Sequence, residues 1–185
     1  FEQIDESRAA PREHAPAPGC SGVVVDADAQ TVLLPVGTGT DFGGLGKGLA
    51  ADLVVDELVA AGAAGALVNV GGDVRAAGRA PDCSWTIDIE DPFDVQRSFG
   101  VLALASGDDL AVATSSVLGR RWWRHGREVH HLVDPATGAS MRTAGVAATV
   151  VAPRAWLAEV AAKVVLAGDP WPAALGPPRP SLLVD

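Results

Sequence analysis

"DFGGLGKGLAADLVVDELVAAGAAGALVNVGGDVRAAG", residues 41–78, sets a glycine-rich turn before a helical pattern and follows the helix with two short strand patterns around a Gly-Gly turn. Leu49, Leu53, Val54 and Leu58 recur at helical spacing, which predicts a helix from about Gly48 to Ala61, ended by Gly62 and Gly65. "GALVNV" and "DVRAAG" then read as two strands joined at Gly71–Gly72. With the many short strands and the second helix that follow, this suggests an α+β fold.

Working outward, the pattern stays β-rich. "GVVVDADAQTVLLPVG" reads as a hairpin, and "SWTIDIEDP" alternates Trp85, Ile87 and Ile89 with polar residues, as a half-buried strand closed by Pro92 should. "SFGVLALAS" and "LAVATSS" are short apolar runs separated by the turn "GDD". "REVHHLVDPATG" is a strand stopped by a turn, "GVAATVVAP" another strand, and "SLLVD" a last one. "RRWWRHGR" reads as a surface stretch of arginines against Trp122 and Trp123. A second helix is predicted over "RAWLAEVAAKVVLAG", with Ala155, Ala158, Ala162, Val165 and Leu166 near one face and Gly168 behind it. The expected architecture is α+β, a mixed or antiparallel sheet with packed helices, in one domain or most of one.

Composition narrows the function. The 185 residues carry a formal net charge of -9, which argues against a general nucleic-acid binder, because such proteins gain affinity by neutralising phosphates with basic side chains. An anionic ligand must then be held locally, and the two lysines, Lys47 and Lys163, stand in the two helical segments. No stretch is apolar enough for a transmembrane helix. Cys20 and Cys83 are too far apart in sequence to form a metal knuckle or a CxxC pair and read as unpaired.

Four segments have residues suited to chemistry. In "DFGGLGKG" the glycines permit close backbone approach, helix-start N–H groups point outward, and Lys47 adds charge beside Asp41; a plain glycine-rich turn competes with a phosphate cradle. In "HHLVDPATG" one histidine should face inward and the other outward, with Asp134 bonding the backbone of its own turn. A histidine at a polar edge suits general-base work. In "NVGGDVRAAG" Gly71 and Gly72 bring backbone near a ligand or simply turn a hairpin. The hydroxyls of "VATSS" either donate to phosphate oxygens or end a strand as exposed serines.

Taken in order, these motifs resemble the ApbE family of FAD:protein FMN transferases over about Val24 to Asp185. The resemblance implies an ApbE-like, T-fold-related architecture. Residues 1–20 are then a connecting segment and 21–185 the C-terminal portion of one flavin-transferase domain, since family members carry an earlier section ending in a phrase like "GYDRSFE", whose tail "FEQ" resembles. The family binds FAD with Mg2+ and moves FMN onto a threonine or serine hydroxyl of an acceptor protein, releasing AMP; some members hydrolyse FAD to FMN and AMP. Pyrophosphate cleavage needs charge neutralisation at the phosphate oxygens and a base for the attacking hydroxyl.

By that resemblance Asp41, Gly43, Lys47, Thr114, Ser115 and Asp134 contact FAD, and His131 is the base. The metal position falls on the Gly44 carbonyl with Glu159 and Lys163. The last two depart from the family, which has an aspartate and, four residues on, a threonine; "TSS" likewise replaces the usual "TSG". Three readings of the departure compete: a helix ion pair where metal no longer binds, a Lys163 ammonium standing where the cation would, or Mg2+ on Glu159 and substrate oxygens with Lys163 turned away. The corresponding alternative function is a flavin-binding protein that has lost the reaction. Family members commonly work outside the cytoplasm, often as lipoproteins, so an extracytoplasmic location is expected.

Overall fold

The computed structural model describes residues 15–124, 126–173, 176 and 181–184. Most of the expected connecting segment, through residue 14, lies outside them, as do His125 and Asp185. In chain order the elements are β1 (Val24–Asp26), β2 (Thr31–Leu33), α1 (Gly46–Ala60), β3 (Gly65–Val70), β4 (Asp73–Gly78), β5 (Ser84–Asp91), β6 (Asp94–Ala105), β7 (Leu110–Ser116), β8 (Arg121–Arg124), β9 (Arg127–His130), β10 (Ala147–Ala152), α2 (Ala155–Ala167) and β11 (Ser181–Val184). The chain divides into two compact units, one of the described residues up to Asp41 with Arg120–Arg142, the other of Phe42–Gly119 with Thr143 onward.

The larger unit is built on a five-stranded sheet in the order β11-β10-β7-β4-β3, every neighbouring pair antiparallel. Strand alternation sends Ala111 and Ala113 to one face and Val112 to the other. Ala111 and Ala113 pack with Ala51 of α1 and Ala155 and Ala158 of α2, so both helices cover that face. Val112 packs with Val74, Ala76, Ile87 and Leu104, so the β5–β6 hairpin lies on the opposite face. The expected α+β class with an antiparallel sheet is what forms.

The core beneath the helices is mostly alanine, and small side chains let backbones approach closely. Where α1 crosses α2, a Cβ on Gly48 would stand 2.5 Å from the Ala155 backbone. This corrects the face expected from the pattern. Leu49, Leu53, Val54 and Leu58 are exposed, and α1 instead buries Gly48, Ala51, Asp52 and Val55, also at helical spacing. Side-chain size decided the outcome: the leucine stripe is more apolar, but only the small-residue stripe fits the crossing. α2 ends as predicted, with Gly168 left-handed at φ 73° and its N–H bonding back to Val164 and Val165.

The smaller unit holds two hairpins, β1–β2 and β8–β9. The arginine and tryptophan stretch is thus partly a strand: Arg121 to Arg124 pair with Arg127 to His130, and Arg121 meets Glu128 across the pair at 3.2 Å. Trp122 and Trp123 remain exposed.

Candidate functional site

Neither helix supplies its own N-terminal side-chain cap, Leu45 preceding α1 and Arg154 preceding α2. Each is capped by a carboxylate from the other. Glu159 of α2 accepts from the Gly48 N–H at 2.9 Å, and Asp52 of α1 accepts from Ala155 and Trp156 N–H at 2.9 and 3.1 Å. An acid at a helix start satisfies orphan donors and meets the positive end of the helix dipole. The close crossing at Gly48 makes this exchange reachable in both directions.

This answers the question raised by "DFGGLGKG". Its N–H groups are not all turned outward: Leu45 and Gly46 donate to the Phe42 carbonyl at 3.1 and 2.7 Å, and Gly48 to Glu159. An internal carboxylate occupies the helix start where an external anion was expected. The charge that reaches outward is the Lys47 side chain, about half exposed, with Nζ 2.7 Å from the fully buried Asp73.

Four charged groups therefore gather at the start of α1. Lys163 Nζ donates to the Gly44 carbonyl at 2.9 Å and to the Glu159 carbonyl at 3.1 Å, and stands 3.5 Å from Glu159 Oε1. Lys163 is turned toward Gly44, not away from it. Its pKa is pushed down by burial, with the negative charges of Glu159 and Asp73 opposing that shift. Burial raises the Asp73 carboxyl, against the pull of Lys47. Asp73 Oδ1 and Glu159 Oε1 are buried without a hydrogen bond among the described residues. Among those residues no three His, Cys, Asp or Glu side chains converge as metal ligands.

The other candidates are carried by other elements. Thr114 and Ser115 are neighbours on β7 with opposite orientations; the Thr114 hydroxyl pairs with that of Thr149 at 2.8 Å, and Ser115 is buried, contrary to the exposed-serine reading. In the smaller unit the histidines divide as expected, His130 half-buried and His131 exposed. His130 Nδ1 accepts from Leu132 N–H at 3.3 Å and its Nε2 lies 3.0 Å from the Met141 carbonyl, so Nε2 carries the proton. His131 Nδ1 lies 3.4 Å from the Arg120 carbonyl, a contact that fits a proton on Nδ1. Asp134 organises its turn, accepting from Ala136 N–H at 2.8 Å and from the Thr137 hydroxyl at 2.9 Å. Asp41 belongs to this unit, while Gly43, Gly44 and Lys47 belong to the larger one.

Asp73 and Asp52 are the residues that sequence reasoning passed over. A signal existed for each. Asp73 and Arg75 stand two apart on a strand buried at every position from Asp73 to Ala77, and so share a face. Asp52 interrupts the small-residue stripe of α1. A depression lined by Ala64, Gly65, Arg79, Ala80, Pro81 and Trp85 lies at the Gly65–Gly78 end of the β3–β4 hairpin and includes none of the candidate residues.

With this geometry in place, similarity to known proteins can be set beside it. The model of the ApbE family matches residues 2–173. A FAD:protein FMN transferase of Treponema pallidum is 32% identical over 143 residues, covering 72% of this chain and 39% of that protein. Another from Rhodobacter capsulatus is 34% identical over 134 residues, covering 71% of this chain and 25% of that protein. The chain thus spans well under half the length of these relatives. Among solved structures, the ApbE protein of Thermotoga maritima aligns with a TM-score of 0.69 at 30% identity, covering 86% of this chain and 50% of that one. The apo form of the Pseudomonas stutzeri flavinyl transferase ApbE aligns with a TM-score of 0.62 at 28% identity, over 80% of this chain and 44% of that one.

Proposed function

The chain belongs to the ApbE family, and from that premise we propose that it serves as an FAD:protein FMN transferase, with FAD as substrate and a threonine- or serine-bearing protein as flavin acceptor. The observation that carries this reading is the lysine pair at the start of α1: in an acidic chain, both lysines are brought to the turn "DFGGLGKG", Lys47 on Asp73 and Lys163 on the Gly44 carbonyl. That concentrates positive charge where a pyrophosphate needs it.

In this reading the acceptor hydroxyl attacks the FMN phosphorus, its proton passes to Nε2 of His131, and AMP leaves with the other phosphate. Lys47, whose ammonium is the more exposed of the two, offsets charge developing on the phosphate oxygens. Asp134 holds the turn after His131 and is also among the flavin contacts that the resemblance implies. Thr114 offers a hydroxyl to the ligand.

The Mg2+ that the resemblance implies does not fit the residues as they stand, because Lys163 Nζ already occupies the Gly44 carbonyl and flanks Glu159. No step of this mechanism is routed through a metal. The same bond favours a second reading, a flavin-binding protein without the reaction. We also propose an extracytoplasmic location, which rests on family habit. No helix among the described residues is long and apolar enough to cross a membrane.

The test is AMP release from FAD with a threonine-bearing acceptor. Transfer predicts AMP in step with labelled acceptor, and His131→Ala should slow it by about 100- to 10,000-fold, the range for a positioned general base. Equal transfer by His131→Ala removes the base assignment. Bound FAD without AMP selects the binding protein, and AMP with free FMN selects hydrolysis.

A further inference from the structure

We propose that the Lys163 ammonium is the resident cation at the start of α1, and that it displaces divalent metal from the Gly44 carbonyl and the Glu159 carboxylate. The argument is one of geometry and charge balance. Lys163 donates to the Gly44 carbonyl at 2.9 Å and to the Glu159 carbonyl at 3.1 Å, and its charge stands 3.5 Å from Glu159 Oε1, an ion pair without a hydrogen bond. Those include the oxygens that the metal position falls on.

Magnesium requires about six oxygens at roughly 2.0–2.1 Å in octahedral array. It cannot share the Gly44 oxygen with an ammonium already seated there, and two cations at such spacing repel strongly at low dielectric. The Lys163 Cε and Cδ lie 3.6 and 4.0 Å from where a Gly44 Cβ would be, so the aliphatic stem rests across the turn.

Charge balance makes the same case. The buried acids here are Asp73 and Glu159, and each already faces a lysine, Lys47 at 2.7 Å and Lys163 at 3.5 Å. Two carboxylates against two ammoniums leave no negative excess for a doubly charged ion. The Glu159 carboxylate is further committed through Oε2 to the Gly48 N–H. The internal cation therefore does what the metal would do for the protein: it holds the Gly44 turn against α2 and neutralises Glu159. Its service to a pyrophosphate rests on the transferase reading above; its occupation of the site does not.

The experiment reads metal binding without flavin, so its outcome is independent of whether the chain transfers FMN. Titration of Mg2+, and of Mn2+ as a spectroscopic probe, into the chain should give no saturable binding at millimolar concentrations, and chelator should leave the thermal midpoint unmoved. Lys163→Thr removes the ammonium, supplies a hydroxyl and leaves Glu159 uncompensated; it should acquire saturable Mn2+ binding and a Mg2+-dependent rise in midpoint. Saturable Mg2+ binding by the parent that Glu159→Gln abolishes would overturn the proposal. So would a folded Lys163→Thr that binds no more metal than the parent. Should that variant fail to fold, the parent titration alone decides.

Discussion

The two helix starts use the same device and end in opposite conditions. At α2, Asp52 is fully buried, bonds two backbone N–H groups, and is flanked by the Arg75 and Arg154 guanidiniums at 3.2 and 3.4 Å. Arg154 also grips Asp56 with two bonds, at 3.0 and 2.7 Å. At α1, Glu159 bonds one N–H group, keeps Oε1 without a hydrogen bond, and faces a lysine that is about a quarter exposed. One carboxylate has both oxygens hydrogen-bonded and the other does not. A buried acid bonded through both oxygens to backbone is a structural fixture, whereas one left short of partners beside a partly exposed cation is placed where a ligand is expected.

Removing the Asp52 carboxylate should have the largest effect. Asp52→Ala strands Arg75 in the core and uncaps α2, and should cost about 3–5 kcal/mol, the usual penalty for breaking a buried pair. Glu159→Gln keeps an oxygen for Gly48, and Lys163 can turn to water, so its cost should be about 1–3 kcal/mol. Denaturant unfolding of the two variants measures both values. If Glu159→Gln proves the more damaging, the contrast between the two starts is wrong.

Gly48→Ala probes the crossing that both caps depend on. A Cβ 2.5 Å from the Ala155 backbone forces the helices apart, and overpacking of this kind costs about 1–3 kcal/mol. Because the displacement stretches both carboxylate caps, amide exchange, corrected for intrinsic rates, should quicken at position 48 and at Ala155 and Trp156 together. Faster exchange at one helix start alone would show that the caps are not coupled.

The smallest and most discriminating effect is expected from Asp73→Asn. The folded chain holds the Asp73 proton more tightly than the unfolded chain does, because burial raises its pKa above 3.8. Stability attached to this proton is present below 3.8 and is lost as pH rises through the raised folded value. At neutral pH the ionised carboxylate is a net cost, so Asp73→Asn should be neutral or stabilising by up to about 1 kcal/mol, with a flatter pH profile above 3.8. A clear loss of stability at neutral pH would mean that the Lys47 bridge outweighs the desolvation.

Periodicity located the elements well, and chemistry less evenly. α1 runs Gly46–Ala60 against an expected Gly48–Ala61, and the β3–β4 hairpin turns at Gly71–Gly72 as read. The inward and outward histidines were also legible, because strand alternation is local. The buried face of α1 was not. Two stripes satisfy the helical period, and hydropathy alone favours the leucines, but the close crossing at Ala155 leaves no room for a Cβ at position 48, and the stripe that contains Gly48 is the one buried. β8 escaped notice because "RWWR" has no alternation, and its pairing with β9 supplies what propensity lacks.

The sequence by itself determined the α+β class, the order of the elements other than β8, the family, and the two lysines as candidate phosphate contacts, all carried by local spacing and by residue type. Only the tertiary structure decided which groups those residues face. For Glu159 and Lys163 the sequence left an ion pair, a cation stand-in and a metal ligand in competition, and it passed over Asp52. Folding sets Glu159 on Gly48, 111 residues away, Lys163 on Gly44, and Asp52 on Ala155. Such contacts depend on the distance between two helices, which is fixed by the volume of the side chains between them and has no signature in either helix alone.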